Sequence, residues 1–127
     1  MARALYRAGV ATPVETYDPF NTLTLDFSGT RYNGAIVRCR LDMSFDEYEA
    51  VRAALFTPGE NGQVDPKAQY QAFAKKVLVE WNLIDPKKKS IPATEAGVLL
   101  APAPLVRRCI DLWASKFWDV DAPLGGA

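Results

Sequence analysis

Two stretches of the chain alternate apolar and polar residues with a period of two. In Thr22–Phe27 the apolar set is Leu23, Leu25 and Phe27, opposed by Thr22, Thr24 and Asp26. Successive side chains of a strand point to opposite faces, so this pattern predicts a strand with one face buried. After Ser28-Gly29-Thr30, a longer run from Tyr32 to Met43 sets Val37, Cys39, Leu41 and Met43 against Arg38, Arg40 and Asp42. Two alternating runs around a short glycine-containing turn predict a β-hairpin, with Gly34 marking a bulge in its second strand.

The period then changes to that of a helix. Ser44-Phe45-Asp46-Glu47 has the form of a capping box, and Phe45, Tyr48, Val51 and Leu55 follow along one stripe until Thr57-Pro58-Gly59. A polar, turn-rich segment covers residues 57–65. Asp65-Pro66 next supplies an N-cap with proline at the first helical position. The spacing of Tyr70, Phe73, Ala74, Val77, Leu78 and Trp81 predicts a helix from there to about Leu83. A loop at Asp85-Pro-Lys-Lys-Lys-Ser90 breaks it, its lysines read as a solvated tip. Thr94-Glu95 opens a short helical turn through Leu100. A last helix begins near Pro104 and carries Val106, Cys109, Ile110, Trp113 and Phe117 at helical spacing.

This order predicts an α+β domain over residues 22–118, an N-terminal β-hairpin packed on a small bundle of three to four α-helices. Residues 1–21 lack periodicity and contain Pro13 and Pro19, so a flexible N-terminal arm is expected. It is either disordered or ordered on a partner through Tyr6, Tyr17 and Phe20. Residues 119–127 are expected to form a flexible tail.

Composition changes this picture mainly by exclusion. In 127 residues, 15 Lys+Arg balance 15 Asp+Glu, which removes the basic excess that nucleic-acid binders carry. No segment approaches the ~20 apolar residues of a membrane span, and Arg7 interrupts what a signal peptide would need. Partners from the membrane and from nucleic acid are therefore not expected, and the cytoplasm is the expected compartment. Cys39 and Cys109 stand far apart and are read as small buried hydrophobes, with no disulfide expected in a reducing compartment. The chain has no histidine. That removes Ser-His and Cys-His pairs, histidine general bases and most zinc sites. Asp46, Glu47 and Glu49 crowd a helix N-terminus, where the macrodipole favours them, so capping and not acid–base work is their expected role. Neither a catalytic site nor a cofactor or metal is expected.

Several short patterns, taken in order, resemble the tail assembly chaperones of long-tailed phages, in the form common among actinobacterial siphophages and prophages. They are Phe27-Ser-Gly-Thr-Arg-Tyr-Asn-Gly34 running into Val37-Arg-Cys-Arg40, the amphipathic helix after Met43-Ser44-Phe45, and Val77-Leu-Val-Glu-Trp-Asn-Leu83 before a charged turn. Ile91-Pro-Ala-Thr94, Gly97-Val-Leu-Leu100, Pro102, Leu105 and a helix ending Leu112-Trp113 complete the set, which covers residues 27–113. The resemblance implies a non-enzymatic protein that keeps the long, helical tape-measure protein soluble in the cytoplasm of a bacterial host. It also implies contact with the tail tube protein, absence from the finished virion, and production in two lengths by ribosomal frameshifting, the Leu124-Gly-Gly-Ala127 end suiting a short form. The family offers no motif of catalytic residues.

A chaperone for an amphipathic helix needs an apolar groove with aromatic and aliphatic anchors. The candidate partner-binding residues are the face of Tyr70, Phe73, Val77 and Trp81, or the Trp113 and Trp118 end of the last helix. The hairpin edge offers a route to self-association into a homo-oligomer. A structural minor tail or head–tail joining protein retained in the virion, and a small cytoplasmic adaptor domain, are the competing readings.

Overall fold

The computed structural model describes residues 14–121, 123 and 124, together with the backbone of residues 6–7 and 10–11. The elements in order are β1 (Tyr6–Arg7), β2 (Val10–Ala11), β3 (Thr22–Asp26), β4 (Ile36–Arg40), α1 (Phe45–Phe56), α2 (Pro66–Lys76), β5 (Leu78–Trp81), a 3-10 turn (Gly97–Leu99) and α3 (Ala103–Phe117). The fold is α+β: β3, β4 and β5 form a three-stranded antiparallel sheet in that spatial order, covered by three α-helices. β1 and β2 pair with each other in a separate small ladder, for which the sequence carries no periodic signal. The expected arm and tail lie partly outside the described residues, among them the side chain of Tyr6. Tyr17 and Phe20 are exposed.

The hairpin follows the alternation. Leu23, Leu25, Phe27, Val37 and Cys39 are buried on the face that meets the helices. Thr24 and Arg38 stand opposite each other. The second strand is shorter than its alternating run. At its start Gly34 takes φ +97°, and the Ala35 N–H donates to the Tyr32 carbonyl, so residues 32–35 form a turn and not a bulged strand. At its end the N–H groups of Leu41 and Asp42 both donate to the Asn21 carbonyl, which bends the chain towards α1.

A larger difference concerns α2. The helix stops at Lys76, and Val77, which was expected on its apolar face, has left helical geometry at φ −120°, ψ −43°. Leu78–Trp81 then runs as a strand beside β4, with Arg38 opposite Glu80 and their side chains in an ion pair at 3.0 Å. The local residues are compatible with either state, since Val77, Val79 and Trp81 favour a pleated surface. A two-stranded hairpin is marginal by itself, and the exposed side of β4 supplies the partner that decides the matter. Asn82 extends the pairing: its Oδ1 accepts from the Ile36 N–H at 2.9 Å and its Nδ2 donates to the Gly34 carbonyl at 3.0 Å.

The helices are fixed by caps and by one arginine. Ser44 and Glu47 make the reciprocal capping box, and Asp65 accepts from the Ala68 N–H at the start of α2. The Gln69 side chain donates to the Leu55 carbonyl at 2.9 Å, satisfying the end of α1 from the neighbouring helix. Arg40 joins three elements. Its N–H donates to Val77, its guanidinium meets Glu47 at 2.8 Å and the Lys76 carbonyl at 3.3 Å, and its own carbonyl accepts from Trp113 Nε1 at 2.7 Å. Arg38 and Arg40 are thus engaged within the fold. Among the described residues no polar or charged residue is buried, and no helix is long and apolar enough to cross a membrane.

A candidate protein-interaction surface

Three of the candidate residues are interior. Phe73 and Val77 are fully buried and Trp113 is 2% exposed. Their helical spacing reflects core packing, so they offer no area to a partner. Tyr70 and Trp81 are half-buried, and both spend their polar groups inside the chain: the Tyr70 hydroxyl donates to the Ala103 carbonyl and Trp81 Nε1 donates to the Ile91 carbonyl at 2.7 Å. The expected face of Tyr70, Phe73, Val77 and Trp81 does not exist as one surface, because the chain changes from helix to strand between its members. Trp118 differs from all of these. It caps the C-terminus of α3 and is 71% exposed.

Trp118 belongs to an aromatic series that climbs out of the core. Phe73 meets Trp113 edge-on, with ring centroids 6.4 Å apart, and Trp113 lies 5.1 Å from Phe117. Phe117 stacks on Tyr48 of α1 at 5.1 Å, and Trp118 sets its edge against both Tyr48 and Phe117, at 5.0 Å and 5.3 Å. These are the offset and edge-to-face geometries that aromatic quadrupoles favour. Tyr48, Val51, Phe56, Trp113, Ala114, Phe117 and Trp118 line a cleft of about 120 Å³ with Arg52 at its rim, held by Glu49 at 3.0 Å.

The surface is wider than the cleft. Phe45 and Phe56, at the two ends of α1, are exposed, as is Val120 beyond α3. Phe45 was expected to share one stripe with Tyr48, Val51 and Leu55. Val51 and Leu55 are buried, Tyr48 is half-buried, and Phe45, at the first helical position, is exposed. Tyr48, Arg52 and Phe56 recur every fourth residue along α1, a spacing that places them side by side on the helix and identifies the flank of the cleft. Sequence reasoning placed Trp118 on this surface but not Tyr48, Phe45 or Phe56. Each is a large aromatic at or near a helix end, and that position is the signal that could have found them.

A second apolar patch gathers the exposed Ile84 and Leu100 around a cleft also lined by Ile91 and Ala101. It is aliphatic and sits beside the loop closed by Asp85, whose carboxylate accepts from the N–H groups of Lys87 and Lys89. The triple lysine is therefore a tied turn, with Lys88 at φ +70°.

The titratable groups with large shifts are the two thiols. Burial pushes Cys109 up to about 12 and Cys39 higher still, with the Cys109 thiol adding to the effect on Cys39. Both are unpaired and packed in the core, so neither is a thiolate at neutral pH. Glu47 is held below the ordinary glutamate value by its hydrogen bond from Arg40 and by the Ser44 N–H. This is cap chemistry at an exposed carboxylate. The chain matches no protein-family model, and comparisons with curated proteins and with solved structures return no match.

Proposed function

We propose that this chain is a non-enzymatic protein-binding module of phage assembly, a tail assembly chaperone that keeps the tape-measure protein soluble in the bacterial cytoplasm and helps recruit tail tube protein. The observation that carries this reading is the exposed aromatic end, where Trp118 stands 71% exposed beside Tyr48, Phe117 and Phe56. Rigid aromatic side chains around a desolvated centre are what dominates binding energy at protein interfaces. A shallow apolar cleft between two helices suits an amphipathic helix that lays its own apolar face into it. The rim supports this partner class, because the ion pair of Arg52 with Glu49 offers both signs of charge to the polar flank of such a helix. The order of patterns from Phe27 to Trp113 directs the reading to tail assembly; the cleft directs it to a helical client.

Co-expression with the long helical protein encoded beside it tests this function. The expected result is a soluble complex, recovered by pull-down, where the long protein alone is insoluble. Failure to bind or to rescue solubility sinks the chaperone reading, and finding the chain in purified particles by mass spectrometry replaces it with a virion component.

A further inference from the structure

The chain that leaves β5 runs on past the point where its partner strand starts. Asn82 still faces β4: its N–H donates to the Ile36 carbonyl, and its side chain holds the Ile36 N–H and the Gly34 carbonyl. The next residues pair on their other side, where the Leu83 carbonyl accepts from the Ile91 N–H and the Asp85 N–H donates to the Lys89 carbonyl. Ile84 stands opposite Ser90 between those two bonds, so alternation turns its own N–H and carbonyl away from Ser90 and back to the β4 side. No strand waits there, because residues 32–35, just before β4, form the turn closed by the Ala35 N–H on the Tyr32 carbonyl. Among the described residues nothing pairs with the Ile84 backbone. The place of the missing strand is a groove. A cavity of about 270 Å³ between Tyr32, Ala35, Leu83 and Leu105 shares Ile84 and Pro102 with the aliphatic cleft of about 470 Å³ that reaches Leu100.

The charges around this groove are mostly of one sign. Among the described residues Asp85 is the only acid in its lining, and that carboxylate is taken by the N–H groups of Lys87 and Lys89. The loop walling one end carries Lys87, Lys88 and Lys89, all exposed, and at the other end the Arg31 guanidinium lies over the Tyr32 ring at 5.1 Å. Among the described residues no carboxylate pairs with any of these cations. The excess is local, since the whole chain balances 15 basic against 15 acidic residues. We propose that the groove binds an extended segment of a partner protein, acidic and aliphatic by turns, which adds as a short strand beside Ile84. Its backbone exchanges hydrogen bonds with the Ile84 N–H and carbonyl, and its aliphatic side chains enter the two cavities. Its carboxylates face the lysine loop and Arg31, which fixes the choice of an acidic partner. A helix suits this groove less well, because its backbone groups are spent on its own bonds and would leave Ile84 unmet. The groove shares no lining residue with the aromatic cleft, so the inference stands or falls separately from the chaperone reading.

Titration of the full, isotope-labelled chain with an end-capped peptide alternating glutamate and leucine, followed by NMR and amide hydrogen exchange, tests it. The expected result is saturable shifts centred on Ile84 and Leu100, with the Ile84 amide gaining protection and the affinity falling as salt is added. Lys87→Glu combined with Lys89→Glu keeps the Asp85 turn, whose bonds come from backbone N–H groups. That double variant should bind the peptide roughly fivefold more weakly. No saturable shift at millimolar peptide, or shifts without protection at Ile84, overturns the proposal. So does equal binding of a peptide with lysine in place of glutamate, or parental affinity in the folded double variant. Sedimentation of the chain with phosphatidylserine vesicles, without peptide binding, also overturns it and assigns the patch to a membrane surface. If the double variant fails to fold, the lysine-for-glutamate peptide on the parent chain decides.

Discussion

Trp113, in the last turns of α3, and Trp118, its C-cap, have opposite surroundings. Trp113 is 2% exposed, its Nε1 donates to the Arg40 carbonyl at 2.7 Å, and its ring closes the core against Phe73. Trp118 is 71% exposed, and its contacts are two aromatic rings that are themselves near the surface. The first is a residue whose area and polar group are both used by the fold. The second leaves most of its area unused within the chain, although burying it would be among the larger contributions any single side chain can make. The difference teaches that aromatic content alone does not identify an interface. What identifies it is an aromatic residue that the fold supports from below and leaves uncovered above.

Breaking the interior side of this contrast should have the largest effect. Trp113→Ala removes a buried indole and leaves the Arg40 carbonyl without its donor, and should cost about 3–5 kcal/mol in chemical denaturation. Gly97→Ala tests the same interior at a different point. Gly97 is buried, and a Cβ there would overlap the Pro92 carbonyl. The backbone must shift to relieve that overlap, at about 1–3 kcal/mol, read as a lowered melting temperature.

Trp118→Ala sharpens the contrast from the outer side. It gives up edge-on contacts with Tyr48 and Phe117 and little buried area, so the stability loss should be about 0.5–1 kcal/mol. A loss as large as that of Trp113→Ala would show that the aromatic end is simply the last layer of the core.

The smallest effect belongs to pH. Arg40 and the Ser44 N–H hold Glu47 below the ordinary value of 4.5 in the folded chain. A carboxylate depressed by folding contributes stability that is fully present above its unfolded value and is lost as pH falls through its folded value. Acid titration of stability should therefore show a component from about pH 4.5 downward. Glu47→Gln should flatten that component and leave the rest of the profile unchanged.

Much of the interior was legible from periodicity. The inward sets of β3 and β4, the Ser44–Glu47 capping box, and the stripe Val106, Cys109, Ile110 and Trp113 all follow from spacing, because a strand or helix with one buried face can satisfy only one register. The end of α2 was not legible. Val77–Trp81 fits a helical stripe with Tyr70 and Phe73 and equally fits a strand, and the choice is made by the open side of β4, remote in sequence. The candidate surface was half legible. Trp118 stands out as an aromatic residue at a helix end, whereas Phe73, Val77 and Trp113 have the same composition signal and are consumed by the core. Phe45 and Phe56 are marked in the sequence only by their places at the two ends of α1, and the helical stripe by itself does not separate them from the buried Val51 and Leu55.

The most direct test of the account is the affinity of the folded Trp118→Ala variant for the helical protein captured by co-expression, measured by titration calorimetry beside the parent chain. A central aromatic anchor is worth 2 kcal/mol or more, so the account predicts a loss of roughly thirtyfold or more at near-parental stability. An unchanged affinity in a folded variant would contradict it, and the exposed aromatic end would then have no part in binding that partner.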